Sequence, residues 1–173
     1  MIVPRLKGGL GNQLFQIAAA YSHALNVGDD FAINYNLPHY LGQGKKCTTY
    51  RDNLFSKIKT TDIIPKSIYS EKNFSYNEIP QQKNLLLDGY FQSEKYFANY
   101  KDKINNLFDF SSIKIKQKFL DIENKIVLHV RRGDYLENSD IHPSIPLEYY
   151  KSCLEELNIS NPNVLIVTDD IAS

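Results

Sequence analysis

Two adjacent arginines stand in a short polar run whose chemistry suits a phosphate group. Residues 129–134 have the sequence His-Val-Arg-Arg-Gly-Asp and directly follow an apolar stretch. A guanidinium binds phosphate through paired, charge-assisted hydrogen bonds, and its charge can stabilise a departing diphosphate without a metal ion. The structural alternative is a surface ion pair between either arginine and Asp134, or between Arg132 and a helix carboxylate. His129, taken alone, is typical of a hydrogen-bonded core histidine more often than of a base.

A glycine-rich turn near the N-terminus is the second candidate. Residues 8–13 have the sequence Gly-Gly-Leu-Gly-Asn-Gln, in which Gly9 and Gly11 would let a ligand approach the backbone and the N–H groups of a following helix. The side-chain amides of Asn12 and Gln13 could bond to sugar hydroxyls. The pattern differs from the dinucleotide fingerprint, since a leucine occupies the place of its third glycine. A plain strand-to-helix turn is the alternative.

Short apolar strands and amphipathic helices that alternate along the chain must position these motifs. The patterns predict strands at residues 2–6, 31–35, 85–87, 125–130 and 164–167, and helices at 13–25, 93–108, 113–122 and 147–157. The stretch between residues 36 and 84 is predicted to be irregular, with one or two short helices around 50–58. The alternation favours an α/β fold with parallel sheet, in which 125–130 is a central buried strand. Ligands of such sheets bind at the carboxyl ends of strands, where both motifs fall.

Composition excludes several classes of protein. The chain has 173 residues, with 20 Lys plus Arg against 20 Asp plus Glu, so no net field would gather a nucleic acid. Cys47 and Cys153 lack the spacing of a zinc site or a redox pair, and reduced thiols are expected. Neither a signal peptide nor a membrane span is predicted. The expected location is the cytoplasm, free or peripheral to the inner face of a membrane.

Three longer runs carry a resemblance to a known family. They are the Gly-Gly-Leu-Gly-Asn-Gln-Leu-Phe-Gln run at 8–16, the Gly-Tyr-Phe-Gln-Ser-Glu-Lys-Tyr-Phe run at 89–97 and the His-Val-Arg-Arg-Gly-Asp-Tyr run at 129–135. In this order they resemble glycosyltransferase family 11, the α-1,2-fucosyltransferases. Residues 146–150 and 168–170 also fit, so the resemblance extends over essentially the whole chain.

The resemblance implies a fold and a reaction. The fold would be the glycosyltransferase B architecture, in which two Rossmann-like halves face a cleft. Residues 1–123 would form the N-terminal, mostly acceptor-side domain, and residues 124–173 would begin the domain that binds GDP-fucose. The reaction would move L-fucose from GDP-β-L-fucose to the 2-hydroxyl of a galactose-type acceptor with inversion. It would need neither a metal ion nor another cofactor.

The family's roles carry over to the matching positions of the arginine run. Arg131 or Arg132 would bind the β-phosphate and assist GDP departure, with Arg131 favoured because it shares the strand phase of His129. His129 would contact the donor or brace the loop, and Asp134 would orient it. Asp134 is also a candidate base by its chemistry, but the two adjacent arginines should depress its pKa and make it a poor one. The general base is left unassigned.

The resemblance places the glycine-rich turn across the cleft. Asn12 would belong to the catalytic set, and Gly9 and Gly11 would lie against the donor. Because family members continue beyond the last run, the chain is expected to be the N-terminal portion of a longer enzyme. Apolar faces left uncovered would then favour self-association. The alternatives are a non-catalytic module that folds and self-associates, and a transferase that uses another GDP-sugar.

Overall fold

Parallel strands form the framework of two compact units. The computed structural model describes residues 1–38, 44–112, 125–133, 143 and 145–170. One unit comprises Met1–Lys114 and the other Ile115–Ser173. The domain boundary predicted between residues 123 and 124 lies outside the described residues.

The first unit is built on a sheet of short strands. Its strands are β1 (Val3–Pro4), β2 (Ser67–Ser70) and β3 (Leu85–Asp88), all parallel and in the spatial order β1-β3-β2. The three leucines of β3 are almost fully buried, as expected of an apolar strand covered on both faces. Isolated parallel bridges join Ile2 to Phe31 and Ile33 to Thr60. The carboxyl ends of β1, β2 and β3 therefore lie at one edge of the sheet.

Helices complete the described part of this unit. They are α1 (Leu10–Val27), α2 (Lys101–Leu107) and 3-10 helices at Cys47–Tyr50, Glu94–Tyr96, Ala98–Tyr100 and Phe110–Ser112. The face of α1 that carries Ile17, Ala20 and Ala24 is buried in the core. α1 ends at Gly28, whose left-handed φ of 61° is one that glycine adopts readily. Since α1 begins just after β1, the turn between them lies at the carboxyl edge of the sheet.

The second unit places a helix beside two paired strands. β4 (Ile126–Val130) and β5 (Val164–Thr168) are parallel, and α3 spans Leu147–Glu156. The hydroxyl of Tyr150 on α3 donates to the backbone oxygen of His129 at 3.2 Å. Large apolar side chains on both strands are exposed: Val127 by 53%, Ile166 by 61% and Val167 by 48%. β4 is therefore less buried than the central strand that its apolar sequence predicts. Within the described residues, β4 pairs with β5 in a two-stranded sheet.

The mixed α/β character with parallel strands is confirmed, but three local predictions were wrong. Residues 31–35 contribute isolated bridges rather than a full strand. β2 lies within the stretch predicted to be irregular, where it pairs with β3 residue by residue. The helix predicted at 93–108 is broken at Phe97, whose φ of −143° ends the first 3-10 helix. The helix predicted at 113–122 lies outside the described residues.

No helix in the described ranges is both long enough and apolar enough to cross a membrane.

Candidate active site

A loop after β4 is held by a carboxylate that follows β5. One oxygen of Asp169 accepts hydrogen bonds from the backbone N–H of Arg132 at 2.8 Å and of Gly133 at 3.2 Å. Its other oxygen lies 4.0 Å from Nε of Arg131. Val130 pairs with Thr168 in the sheet, so Arg131 and Asp169 are the next residues along two neighbouring parallel strands. The arginine run is therefore fixed at the carboxyl end of its strand, where open α/β sheets bind ligands.

The two arginines differ in exposure. Half-buried and exposed residues alternate from Ile126 through Arg132, which extends the strand phase beyond the end of β4. Arg131 lies on the exposed side with His129, and its side chain is 41% exposed. Arg132 is half-buried, and its Nε is buried without a hydrogen-bond partner among the described residues. The strand thus presents Arg131 outward and turns Arg132 inward, as the phase argument predicts.

Asp169 is held in its charged form. The backbone N–H of Arg132 lowers the pKa of this carboxyl below 3.8, and the N–H of Gly133 and the charge of Arg131 add to the effect. A Cβ on residue 133 would lie 3.1 Å from Oδ2 of Asp169, so glycine gives the carboxylate its close approach. This carboxylate contact ties the backbone of the arginine loop to the residue that follows β5.

His129 and Asp134 have different outcomes. The side chain of His129 is exposed, so its interpretation as a core histidine was wrong. Its backbone oxygen accepts the bond from Tyr150, whereas its predicted contact with the donor stays a prediction. Asp134, predicted to orient the arginine loop, lies outside the described residues. In the described part of the loop, Asp169 provides the orienting hydrogen bonds.

Buried glutamines fix the glycine-rich turn of the first unit. The side-chain amide nitrogen of Gln13 donates to the backbone oxygens of Gly8 and Lys45, each at 2.9 Å. Gln16 exchanges two hydrogen bonds with the backbone of Lys7, at 2.9 and 3.1 Å. Gln13 is 0% exposed and Gln16 is 1% exposed, so neither can reach a ligand in this conformation. The prediction that Gln13 binds sugar hydroxyls was therefore wrong, because the folded turn buries this side chain and uses its amide nitrogen.

The glycines of this turn accommodate close neighbours. Gly8 adopts a φ of 73°, and a Cβ there would lie 2.5 Å from the side-chain nitrogen of Asn12. Gly44 approaches from a distant loop, where its added Cβ would lie 2.5 Å from Cα of Gly9. By contrast, an added Cβ at Gly11 would meet nothing within 4 Å. Gly9 is the N-cap of α1, and no side chain caps its N–H groups.

Asn12 is the amide of the turn that remains partly accessible. It is half-buried, and its Oδ1 accepts a hydrogen bond of 2.6 Å from the side chain of Gln92. Gln92 is exposed and belongs to the second of the three sequence runs. The structure thus brings the first and second runs together at the carboxyl edge of the first sheet.

The model of Glycosyl transferase family 11 matches residues 43–172. The chain belongs to this family. An alpha-1,2-colitosyltransferase of Escherichia coli is 26% identical over 203 residues, which cover 99% of the chain and 69% of the relative. The O-antigen biosynthesis glycosyltransferase WbnK of Escherichia coli is 24% identical over 216 residues, which cover 95% and 71%. A galactoside 2-alpha-L-fucosyltransferase of Caenorhabditis elegans is 28% identical over 159 residues, which cover 79% and 39%. No solved structure shows a significant match to the chain.

Membership of family 11 identifies the chain as a glycosyltransferase, which takes a sugar from a nucleotide-sugar donor and passes it to a glycan acceptor. The family match includes β4, β5 and the arginine loop, and the colitosyltransferase alignment covers almost the whole chain. The fucosyltransferase-like character predicted from the three sequence runs is thereby confirmed.

Several charged residues at the edge of the first sheet were missed from the sequence. Asp88, at the end of β3, pairs with Arg5 at 2.5 Å and with Lys7 at 2.9 Å. All three side chains are about one-fifth exposed, at 20%, 21% and 22%. The available signal was positional, because Asp88 directly follows one predicted strand, whereas Arg5 lies near the end of another and Lys7 directly follows it. Asp169 was missed although the same rule, that parallel strands end at one edge, would have placed it beside Arg131.

Proposed function

We propose that this family 11 enzyme transfers L-fucose from GDP-β-L-fucose to the 2-hydroxyl of a galactose-type acceptor. The observation that carries the proposal is the arginine loop at the end of β4, which Asp169 holds by two backbone hydrogen bonds. The reaction is a single displacement that inverts the anomeric centre and uses no metal ion. Arg131 bears the charge of the departing diphosphate, with Arg132 supporting the loop beneath it.

Leaving-group stabilisation explains why the loop must be rigid. Charge develops on the β-phosphate as the bond to the sugar breaks, and a donor fixed in advance stabilises this charge without reorganising. The guanidinium of Arg131 is partly exposed and follows the strand by one residue. Its planar fork can offer two N–H groups to a phosphate, which the point charge of a lysine cannot.

The proposal assigns the two units to the two halves of a glycosyltransferase B architecture. The first unit supplies the acceptor side, and the second supplies the GDP-fucose side. Each has parallel strands that end at a polar motif, which supports this division. Inversion also requires a group that accepts the proton of the acceptor hydroxyl. Asp88 suits this task poorly, because Arg5 and Lys7 both neutralise its charge.

The test is transfer with the metal removed. The enzyme is incubated with GDP-fucose and lactose in excess EDTA, and release of GDP and formation of fucosyl-lactose are measured. Full activity in EDTA is expected, since arginine bears the leaving-group charge. Activity that is abolished by EDTA and restored by Mg²⁺ or Mn²⁺ would refute the metal-independent mechanism.

A second candidate, transfer of another 6-deoxy sugar, is favoured by the relative named as an alpha-1,2-colitosyltransferase. That relative aligns with 99% of the chain, against 79% for the fucosyltransferase. Colitose is L-fucose without its 3-hydroxyl. A site that hydrogen-bonds this hydroxyl rejects the deoxy sugar by about 10⁴-fold, whereas a site that ignores it accepts both sugars. Parallel assays with GDP-fucose and GDP-colitose therefore decide between the two donors.

A non-catalytic module is the remaining alternative. The exposed apolar side chains of β4 and β5 favour it, because a sheet face of this kind promotes self-association. It predicts a dimer by analytical ultracentrifugation and no turnover with either GDP-sugar. Turnover with either donor rejects it.

A further inference from the structure

An exposed aromatic pair stands at the carboxyl edge of the first sheet. Phe74 is 74% exposed, although a side chain of this kind is usually buried. Its ring stacks on that of Tyr90, with the centroids 6.2 Å apart and the planes 25° from parallel. Phe74 follows β2 and Tyr90 follows β3, so both belong to loops at the edge where ligands of open α/β sheets bind.

The loop that carries Tyr90 is fixed by a carboxylate. Glu71, directly after β2, accepts hydrogen bonds from the backbone N–H of Tyr90 at 2.6 Å and of Phe91 at 3.0 Å. A Cβ on Gly89 would lie 2.4 Å from Cβ of Glu71, so the two loops pack without room for a side chain there. Phe91 itself is 0% exposed and anchors the loop in the core. The aromatic pair is therefore presented on a rigid support.

A charged group stands beside the ring of Tyr90. The ammonium group of Lys7 lies 5.1 Å from the centroid of Tyr90 and bonds to Asp88 at 2.9 Å. This contact brings the aromatic pair next to the turn that follows β1. Apolar rings flanked by a few placed polar groups are the usual composition of a small-molecule site.

We propose that Phe74 and Tyr90 form the platform on which the acceptor sugar stacks. The assignment to the acceptor rests on the proposed function. One face of a galactose ring carries several C–H groups and is apolar, whereas its rim carries hydroxyls. The apolar face lies on the exposed ring of Phe74, which Tyr90 backs.

The exposed ring is better explained by a sugar than by packing within the chain. Burying Phe74 would have removed apolar surface from water, yet the fold leaves three-quarters of this side chain uncovered. A protein interface of ordinary size would require a broad apolar surface. Here Glu71 and Lys7 adjoin Tyr90 of a single aromatic pair, which suits a ligand of the size of one sugar ring.

Binding of lactose to the 173-residue chain tests the platform directly. Backbone amide shifts around Tyr90 are followed by NMR as lactose is added to the wild type and to three variants. Phe74→Ala should weaken lactose binding about 3- to 10-fold, the range of an aromatic contact, whereas Phe74→Tyr should retain it. Phe110→Ala is the matched control, since Phe110 is also 53% exposed but follows α2.

Each result of this titration decides the matter. Weaker binding in Phe74→Ala with unchanged binding in Phe110→Ala supports the platform. Absence of lactose binding to the wild type, unchanged affinity in Phe74→Ala, or an equal loss in Phe110→Ala overturns it.

Kinetics separate this inference from the proposed donor. In Phe74→Ala the KM for lactose should rise about 3- to 10-fold. The KM for GDP-fucose and the rate of its hydrolysis without acceptor should not change. If the wild type does not use GDP-fucose but lactose binding still depends on Phe74, the donor proposal fails and the platform stands. If GDP-fucose is used and the lactose KM is unaffected by Phe74→Ala, the platform fails alone.

Discussion

Asp169 binds the backbone of Arg132 through one carboxylate oxygen and lies 4.0 Å from Arg131 Nε through the other. A single side chain just after β5 thus positions the backbone after β4 and stands beside the guanidinium that the proposed mechanism uses. The contact joins two segments that are distant in the sequence and adjacent in the sheet. Asp169 is therefore a positioning residue for the arginine loop.

Replacing Asp169 should slow transfer with little effect on stability. Asp169→Ala removes the acceptor for the loop amides, and the resulting displacement should lower kcat on the order of 10- to 100-fold. Asp169→Asn keeps an acceptor oxygen and should lose less. The melting temperature should change little, because the side chain is 43% exposed. Initial rates and thermal melts measure both effects.

The control for the two Asp169 variants is Asp109→Ala. Asp109 also accepts hydrogen bonds from a loop backbone, that of Ser111, but it lies in the first unit after α2. Its removal should leave kcat unchanged. Equal rates in wild type and Asp169→Ala would show that the loop keeps its conformation without this carboxylate.

The roles of Arg131 and Arg132 should be distinguishable by the transfer rates of the variants in which each is changed to lysine. Lysine keeps the charge but loses the planar fork, so the phosphate ligand suffers the larger loss. Arg131→Lys should reduce transfer by about 10²- to 10³-fold with little change in melting temperature. Arg132→Lys should reduce transfer less. A larger rate loss in Arg132→Lys would reverse the assignment, and normal rates in both variants would remove the phosphate role altogether.

The sequence predicted the strand that carries Arg131 but not the carboxylate that fixes it. The apolar run before the arginines is a local signal, and β4 ends at Val130, as predicted. Asp169 is defined by pairing between β4 and β5, which is a property of the register and not of either segment alone. The strand phase that separates the arginines could be predicted, because alternation is intrinsic to extended backbone.

The wrong predictions also have physical causes. β2 has a Ser-Ile-Tyr-Ser sequence with alternating half-buried and exposed residues, and its neighbour β3 supplies the pairing that the local pattern lacks. The helical spacing at 93–108 is interrupted where Phe97 packs against Phe15, with ring centroids 5.8 Å apart. The error at Gln13 also comes from a contact that is distant in the sequence. Its polar side chain suggested a role in ligand binding, but in the fold it donates to the backbone oxygen of Lys45, 32 residues along the chain.

Stability of the first unit should fall as the pH drops through 6.5. Burial lowers the pKa of His23 below this ordinary value, and its Nε2 donates to the backbone oxygen of Gln82 at 3.1 Å. The folded state then binds fewer protons than the unfolded state, so acid favours unfolding until the pH falls below the folded-state pKa. Because one proton is involved, the free energy of unfolding cannot change by more than about 1.4 kcal/mol per pH unit.

His23→Gln removes this titration. Urea unfolding followed by circular dichroism, repeated across this pH range, should show a flatter pH dependence for the variant than for the wild type. The comparison uses the change with pH and not the absolute stability, so a general destabilisation by the substitution does not obscure it. If stability changed with pH equally in the two proteins, His23 would be excluded as the source of the pH dependence.

Gly11→Ala should stabilise the fold while impairing the enzyme. Gly11 lies in the first turn of α1, where an added Cβ meets nothing within 4 Å, so alanine should gain about 0.5–1 kcal/mol from helix propensity. If the donor approaches this turn closely, the new methyl group obstructs it and should lower transfer on the order of tenfold or more.

Gly28→Ala is the matched control, because an added Cβ there also meets no atom within 4 Å, but Gly28 has a φ of 61° and lies at the other end of α1. That variant should lose about 1–2 kcal/mol of stability and keep its transfer rate per folded molecule. Unfolding curves and initial rates of both variants distinguish a ligand-facing glycine from a plain turn, since a stabilised Gly11→Ala enzyme with normal rates would leave only the structural role.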